Sequence, residues 1–485
     1  MKPTNMIVLM SDEHASNIMG CAGHPFIQTP NLDRLAAQGT RFDSAYTNAP
    51  ICVPARASFA TGKYGHQTGH WDNATPYTGE PKSWGHYLQE NGNPVGSIGK
   101  LHYRNESDPV GLDFQQIPMH LVNGVGDVLG CVREPLPRRW KARDLADSAG
   151  PGETTYTNYD RNITEAACEW IAQRGQEGVP EKPWTVFISM VAPHFPLTAP
   201  QQFYDLYKDV DLKPSKPASE NDHPWLKALR HCFVYDNFND ERTCAALTGY
   251  FGLVSFMDTN VGRILDAVDA AGLTETTRIV YVSDHGDNMG ERGMWGKSNM
   301  YEEAAAVPMI LSGPDVPAGH VCKTPVSLAD VFPTVLDCAG LNAKDSELPG
   351  RSLIRIAAEA DSADRVVFSE YHAAGAASGA FMIRKGKWKY IYYVGMEPQL
   401  FDLEADPEEV NDLGTTPTHQ AVREELHAEL LRICDPVEVD RQAKADQAAI
   451  ISANGGVEAV LERGGFGATP APGANADFVA SKAEQ

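Results

Sequence analysis

The segment Cys52-Val53-Pro54-Ala55-Arg56, followed by Thr61-Gly62, carries the sharpest chemical signal in the sequence. Pro54 and Arg56 suit the first turn of a helix, and Gly62 suits its end. Cys52 would then sit among free backbone N–H groups, where a helix start stabilises an anion. Arg56, one turn on, adds a fixed positive charge. A cysteine at a helix start is often structural, but the Cys-x-Pro-x-Arg spacing points to a reactive one. Two other places offer metal chemistry. Asp12-Glu13 follows the apolar run Met6–Met10, and Asp284-His285 follows Arg278–Val282. Open α/β sheets gather ligands at the carboxyl ends of their strands. Two acids and a histidine there can hold a hard divalent cation. Aspartates at strand ends also cap helices, yet two such ends together favour the metal.

These residues need a sheet to carry them. Met6–Met10, Trp184–Met190, Arg278–Val282 and Val307–Leu311 are continuous apolar runs of the kind that form buried strands. Residues 29–39 read as a capped helix stopped by Gly39. Thr248–Ala271 reads as a long amphipathic helix. Strands separated by helices predict an α/β fold with a mostly parallel central sheet flanked by helices. This unit is expected over residues 1–360. The runs Val366–Tyr371, Phe381–Arg384, Trp388–Tyr393 and Gln399–Asp402 predict a small antiparallel sheet, with a polar helix near Gln420–Cys434 packed on it. They make a smaller C-terminal α+β subdomain over 361–462. Residues 463–485 are rich in Gly, Pro and Ala and are expected to run extended, on the surface or on a neighbouring subunit.

Composition narrows the function. The 485 residues carry a net charge of −23, a pI near 5.0 and a mean hydropathy of −0.33. That balance argues against nucleic acid as partner and requires any anion site to be built locally. No apolar run is long enough for a membrane span, and the short N-terminal run does not make a signal peptide. Nine widely spaced cysteines without a CxxC pair suit a reduced, cytoplasmic protein.

With these motifs in order, the chain resembles the sulfatase family of the alkaline phosphatase superfamily. Cys-x-Pro-x-Arg with Thr61-Gly62 matches the family signature. Asp12, Thr29-Pro30-Asn31-Leu32-Asp33, Gly99-Lys100-Leu101-His102, Pro193-His194-Phe195-Pro196 and Ser283-Asp284-His285-Gly286-Asp287 match further family elements, and Lys297 follows at the usual place. The match runs over roughly residues 5–340, with a family-like end at Gln399–Leu403. Met289–Gly293 and Trp71-Asp72-Asn73 lean toward the choline-sulfatase and phosphonate-monoesterase side.

The resemblance implies that Cys52 is oxidised by a formylglycine-generating enzyme to an aldehyde, which hydrates to a diol. One hydroxyl attacks the sulfur of a sulfate monoester and the other collapses to expel sulfate. It also implies one divalent metal, Ca²⁺ ahead of Mg²⁺ or Mn²⁺, held by Asp12, Glu13, Asp284, His285 and the Cys52-derived hydroxyl. Glu13 and His285 replace residues found elsewhere in the family. Arg56, Lys100 and Lys297 would neutralise the anion. His102 would take a proton from the diol, His194 or Lys297 would give one to the leaving oxygen, and Asn73 would bind the non-reacting oxygens.

The function expected is therefore a sulfuric ester hydrolase acting on a small-molecule sulfate. A phosphonate monoester or phosphodiester hydrolase with the same nucleophile is the alternative, which Lys100 and His102 disfavour. A non-catalytic anion-binding module is disfavoured by the complete ionisable set. The leaving-group pocket is expected from Gln115–Trp140, Pro200–Asn239 and the C-terminal subdomain, with Tyr204, Tyr207, Trp225, Tyr235, Asp236 and Phe238 as candidates. A homo-oligomer is expected, with the aperiodic tail as an arm.

Overall fold

The structure is a computed structural model that describes residues 2–178, 180–342 and 348–481. Eight strands form the main sheet: β1 (Asn5–Asp12), β2 (Gly39–Phe42), β3 (Val95–Lys100), β4 (Phe114–Met119), β5 (Thr185–Pro193), β6 (Thr277–Ser283), β7 (Met309–Ser312) and β8 (His320–Cys322). Their order is β8-β2-β7-β6-β1-β5-β3-β4. The run β6-β1-β5-β3-β4 is parallel, while β7 runs antiparallel to both β6 and β2.

The continuous apolar runs follow from burial on both faces. Along β1, Ile7 and Leu9 join one core with α1 (Pro30–Ala37), α3 (Thr155–Gln176) and α4 (Asp240–Ala270). Met6, Val8 and Met10 point the other way, into a core with α2 (Cys52–Thr61), α5 (Val331–Cys338) and α6 (Leu353–Ala357). The period of two puts alternate side chains on opposite faces, and helices cover both.

Gly39 does not stop α1. The helix ends at Ala37 with Gln38 as its C-cap, and Gly39 opens β2. A Cβ on Gly39 would lie 2.2 Å from the Leu311 carbonyl oxygen, so the glycine serves the close approach of β2 to β7.

The C-terminal segment forms an antiparallel sheet of β9 (Val366–Tyr371), β10 (Ala380–Lys385), β11 (Trp388–Tyr393) and β12 (Gln399–Asp402). One face packs on α7 (Gln420–Ile433) and α8 (Pro436–Ala453) through Phe381, Ile383, Leu426, Leu430 and Ala443. The other meets Tyr46, Met300 and Tyr301 through Val367, Met382 and Ile391. A last helix, α9 (Gly456–Arg463), precedes the tail. The tail is irregular but not loose: Gly465 and Val479 pair in both directions. Its residues 482–485 lie outside the described residues. No helix among the described residues is long and apolar enough to cross a membrane.

Candidate active site

Four adjacent parallel strands, β6, β1, β5 and β3, end together. Each delivers candidate residues at or just past its carboxyl end: Asp284 and His285, Asp12 and Glu13, His194, and Lys100 and His102. The helix α2 adds Cys52 at its first residue and Arg56 on the next turn, and Gly62 closes it in the left-handed conformation at φ 68°.

Cys52 lies at the centre. Its Sγ is 3.1 Å from His285 Nε2 and 3.8 Å from Asp12 Oδ1. Ligand atoms of Asp12, Cys52, Asp284 and His285 all lie within 4.8 Å of one another, and all four residues are buried. His285 Nδ1 is 3.0 Å from the Gly286 carbonyl oxygen. A carbonyl only accepts, so Nδ1 carries the proton and the Nε2 lone pair faces the cluster. Two carboxylates and an imidazole so oriented fit a divalent cation by donor chemistry.

Glu13 stands apart from that group. Its backbone adopts φ 69°, and its Oε2 turns to Lys297 Nζ at 2.9 Å and His194 Nε2 at 3.3 Å. With Asp12 and His194 it forms a second group within 4.8 Å, and its Oε1 is buried without a partner among the described residues.

The cations are committed to the carboxylates. Arg56 donates from Nε to Asp284 Oδ2 at 2.8 Å and from Nη2 to Asp12 Oδ2 at 3.1 Å. Its Nη1 is 2.9 Å from both the Lys100 carbonyl and Ser189 Oγ. Lys100 Nζ reaches Asp12 Oδ2 at 2.5 Å. Burial would raise the Asp12 carboxyl, but Lys100 and Arg56 hold it well below the usual range. Such fully desolvated pairs require good geometry on both sides, and a charge left alone here would be very costly.

The thiol of Cys52 is pushed up to about 11, by burial first and then by Asp12. The helix start therefore does not leave a thiolate, against the expectation from the helix dipole alone. Burial, with Lys100 and Arg56 nearby, holds the His102 imidazole well below its usual value. Both its ring nitrogens are buried without partners among the described residues. Asn73 Oδ1 accepts the Val53 N–H at 3.1 Å, on the first turn of α2.

The sulfatase family model matches residues 4–341. The chain belongs to the sulfatase family. A second model, the C-terminal region of N-sulphoglucosamine sulphohydrolase, matches residues 290–435. The choline-sulfatase of Rhizobium meliloti (strain 1021) is 32% identical over 439 residues, 85% of this chain and 83% of that protein. The arylsulfatase of Clostridium perfringens is 28% identical over 453 residues, 85% of this chain and 90% of that protein. The phosphonate monoester hydrolase of Agrobacterium radiobacter shares the fold, with a TM-score of 0.72 at 22% identity over 89% of this chain and 95% of that one.

In this sulfatase a cavity of about 240 Å³ opens beside Asn73 and Lys297. Its walls are largely aromatic and apolar: Trp140, Phe195, Phe233, Tyr235, Trp295 and Phe466 all line it. Of the stretches Gln115–Trp140 and Pro200–Asn239, residues 127, 129, 139, 140, 233 and 235 line this cavity. Tyr204, Tyr207, Trp225, Asp236 and Phe238 do not line it. Tyr207 and Trp225 are core residues, Tyr204 packs against the main core, and Phe238 stacks behind Trp295 at 4.3 Å. Asp236 is exposed and paired with Arg143.

Three contributors escaped the sequence reading. Residues 465–468 and Val479 of the tail line the cavity, and Tyr156 donates its hydroxyl to the Thr469 carbonyl. Ser189 orients Arg56. Asp160, on α3, accepts the N–H groups of Val191 and Ala192, each at 2.7 Å. That contact fixes the point where β5 falls out of register with β1, between Ser189 and Pro193, just before His194. The one signal for Asp160 was an acid among the apolar positions Tyr156, Tyr159 and Ile163 of a helix.

Proposed function

We propose that this sulfatase hydrolyses the sulfate monoester of a small alcohol or phenol, using a formylglycine made from Cys52 by a maturation enzyme. The observation that carries the reading is the position of Cys52 Sγ within the group formed by Asp12, Asp284 and His285. A buried, protonated thiol at that point makes a poor nucleophile for sulfur. As a precursor of an aldehyde its protonation does not matter.

In this reading one hydroxyl of the hydrated aldehyde attacks the sulfur, and the S–O bond to the alcohol breaks. The second hydroxyl then gives up its proton, the C–O bond to sulfate breaks, and the aldehyde reforms. His102, neutral and with both ring nitrogens open, accepts that proton. Lys297 gives a proton to the departing oxygen. Lys100, Lys297 and Arg56 balance the sulfate charge and hold the carboxylates in place, and Asn73 faces the non-reacting oxygens. A divalent cation, Ca²⁺ before Mg²⁺ or Mn²⁺, would be held by Asp12, Asp284, His285 and the Cys52-derived oxygen and would supply positive charge that acidifies a hydroxyl. Glu13 serves as the counter-ion of Lys297.

The cavity beside Lys297 receives the leaving group. Its aromatic walls favour an apolar, aromatic or quaternary ammonium alcohol. The test is co-expression with a formylglycine-generating enzyme, mass spectrometry of the Cys52 peptide, and comparison of kcat/KM for an aryl sulfate and an aryl phosphonate monoester with the same leaving group. Conversion of Cys52, a clear preference for sulfate and loss of turnover in Cys52→Ala are expected. A preference for phosphonate, or full activity in Cys52→Ala, overturns the reading.

A further inference from the structure

The edge strand β8 carries a further cluster of metal-ligating side chains, four strands from β1 and roughly 19 Å away at the usual inter-strand spacing of about 4.8 Å. His320 and Cys322 are two residues apart and so project to the same face of the strand. Asp361 approaches them from the segment joining α6 to β9. Ligand atoms of His320, Cys322 and Asp361 lie within 4.8 Å of one another.

The arrangement is fastened in place. The Lys323 N–H donates to Asp361 Oδ1 at 2.8 Å, and the Ser362 N–H donates to Thr324 Oγ1 at 2.9 Å. Two backbone contacts thus hold the Asp361 segment against the residues that follow Cys322. Cys322 is fully buried. Among the described residues, His320 Nε2 is buried with no hydrogen-bond partner, an orphaned polar atom of the kind that needs an explanation. Asp361 is exposed, leaving an entry path and room for water as a fourth ligand.

We propose that His320, Cys322 and Asp361 form a binding site for a borderline divalent cation, Zn²⁺ in the first place. One thiolate, one imidazole and one carboxylate with an open position is a donor set that suits Zn²⁺ and excludes Ca²⁺ and Mg²⁺. Bonds of about 2.0–2.3 Å put tetrahedral ligands about 3.5 Å apart, so the cation draws the three groups slightly together, with the exposed Asp361 supplying the movement. Binding forms a metal–sulfur bond and releases the Cys322 thiol proton to solvent. The cation ties the edge strand of the main sheet to the α6–β9 connection. This site shares no residue with the group around Cys52.

The test uses the full chain in a Cys52→Ser background, because the catalytic group also contains a cysteine. Co²⁺ added to that protein is expected to give a saturable thiolate-to-cobalt charge-transfer band that Zn²⁺ displaces. The band should vanish in Cys52→Ser/Cys322→Ser. Asp361 is exposed and His320 only half-buried at the sheet edge, so His320→Ala and Asp361→Asn also decide the matter if the Cys322 variant does not fold. Each should weaken Zn²⁺ by more than about tenfold by competition titration. Absence of the band in Cys52→Ser, its persistence without Cys322, or unchanged Zn²⁺ affinity in both His320→Ala and Asp361→Asn overturns the proposal.

Discussion

Lys297 Nζ lies 2.9 Å from His194 Nε2, while His194 Nδ1 lies 2.6 Å from the Phe195 carbonyl oxygen. The carbonyl can only accept, so Nδ1 carries the ring proton. Burial, with Lys297 adjacent, holds the His194 imidazole well below its usual value, so the ring is neutral. Nε2 must then accept from the ammonium. Lys297 stays protonated despite its burial because the Glu13 and Asp12 carboxylates lie close to it. Of the two candidates for proton donor at this corner, the geometry leaves the mobile proton on Lys297 and casts His194 as the group that orients it.

A proton donor matters most when the departing oxygen is basic. Lys297→Ala is expected to lower kcat/KM by about 10²–10⁴-fold on an alkyl sulfate, and much less on an aryl sulfate whose phenol leaves unaided. His194→Ala should cost less on both. The check is a series of leaving groups of graded pKa, in which the variant shows the steeper dependence. Equal losses across the series would assign Lys297 to charge balance alone.

The strand ends were legible because burial on both faces demands continuous apolar runs, and an acid that interrupts such a run stands out. Asp12 and Asp284 are of this kind. The opening of α2 was legible for a similar local reason, since Pro54 and Gly62 bracket it. Gly39 misled because a glycine after a helix is usually a stop, and only the proximity of Leu311 on another strand reveals its purpose. The cavity walls were legible only in part. Tyr207 and Trp225 are as aromatic as Phe233 and Tyr235, and nothing local separates a lining ring from a core ring. Phe466 lay in a stretch whose composition says only that it lacks periodicity.

Glu370 ties β9 to the turn after α2. Its Oε1 accepts from His66 Nδ1 at 3.0 Å and its Oε2 meets His372 Nε2 at 3.1 Å. Burial would raise this carboxyl, but His66 and His372 hold it well below the usual range. Burial would lower His66, yet Glu370 raises it above 6.5. The Glu370 contribution is present above its ordinary value of 4.5 and is lost as pH falls below that toward the depressed value. The His66 contribution is complete below 6.5 and is lost as pH rises through the raised value. The clamp is therefore strongest between these limits. Glu370→Gln should destabilise by about 2 kcal/mol near the middle of that window and by less at alkaline pH, read by urea unfolding across the range. A gap that does not change with pH would mean that the charge contributes nothing.

Asp160 acts on His194 through the backbone. Its two oxygens each take one N–H, and an amide can offer only one acceptor there. In Asp160→Asn the NH₂ group faces a backbone N–H, and one buried donor is left unpaired at a cost of about 1–3 kcal/mol. The irregular stretch of β5 then relaxes, and His194 with it. We expect kcat/KM to fall by roughly 10²-fold, as misplacement of about 1 Å does, with the fold retained by circular dichroism. Activity near that of the wild type would show that β5 holds this shape without Asp160.

The tail predicts a separable effect on binding. Gly465 pairs with Val479, Lys141 Nζ meets Asp477 Oδ2 at 2.7 Å, and Phe466 forms part of the cavity wall. None of these residues belongs to the group around Cys52. A chain ending at Arg463 keeps α9 and the ionisable set but loses one side of the cavity. Contacts made equally in the ground and transition states change KM rather than kcat. Removing the tail should therefore raise KM for a bulky aryl sulfate by about tenfold or more, with kcat nearly unchanged. Inhibition by inorganic sulfate, which needs only the cations near Cys52, should keep its strength. The measurement is a pair of saturation curves, one with the aryl sulfate and one with sulfate as competitor. A parallel loss in both would mean that the tail supports the catalytic group itself and not only the wall of the leaving-group cavity.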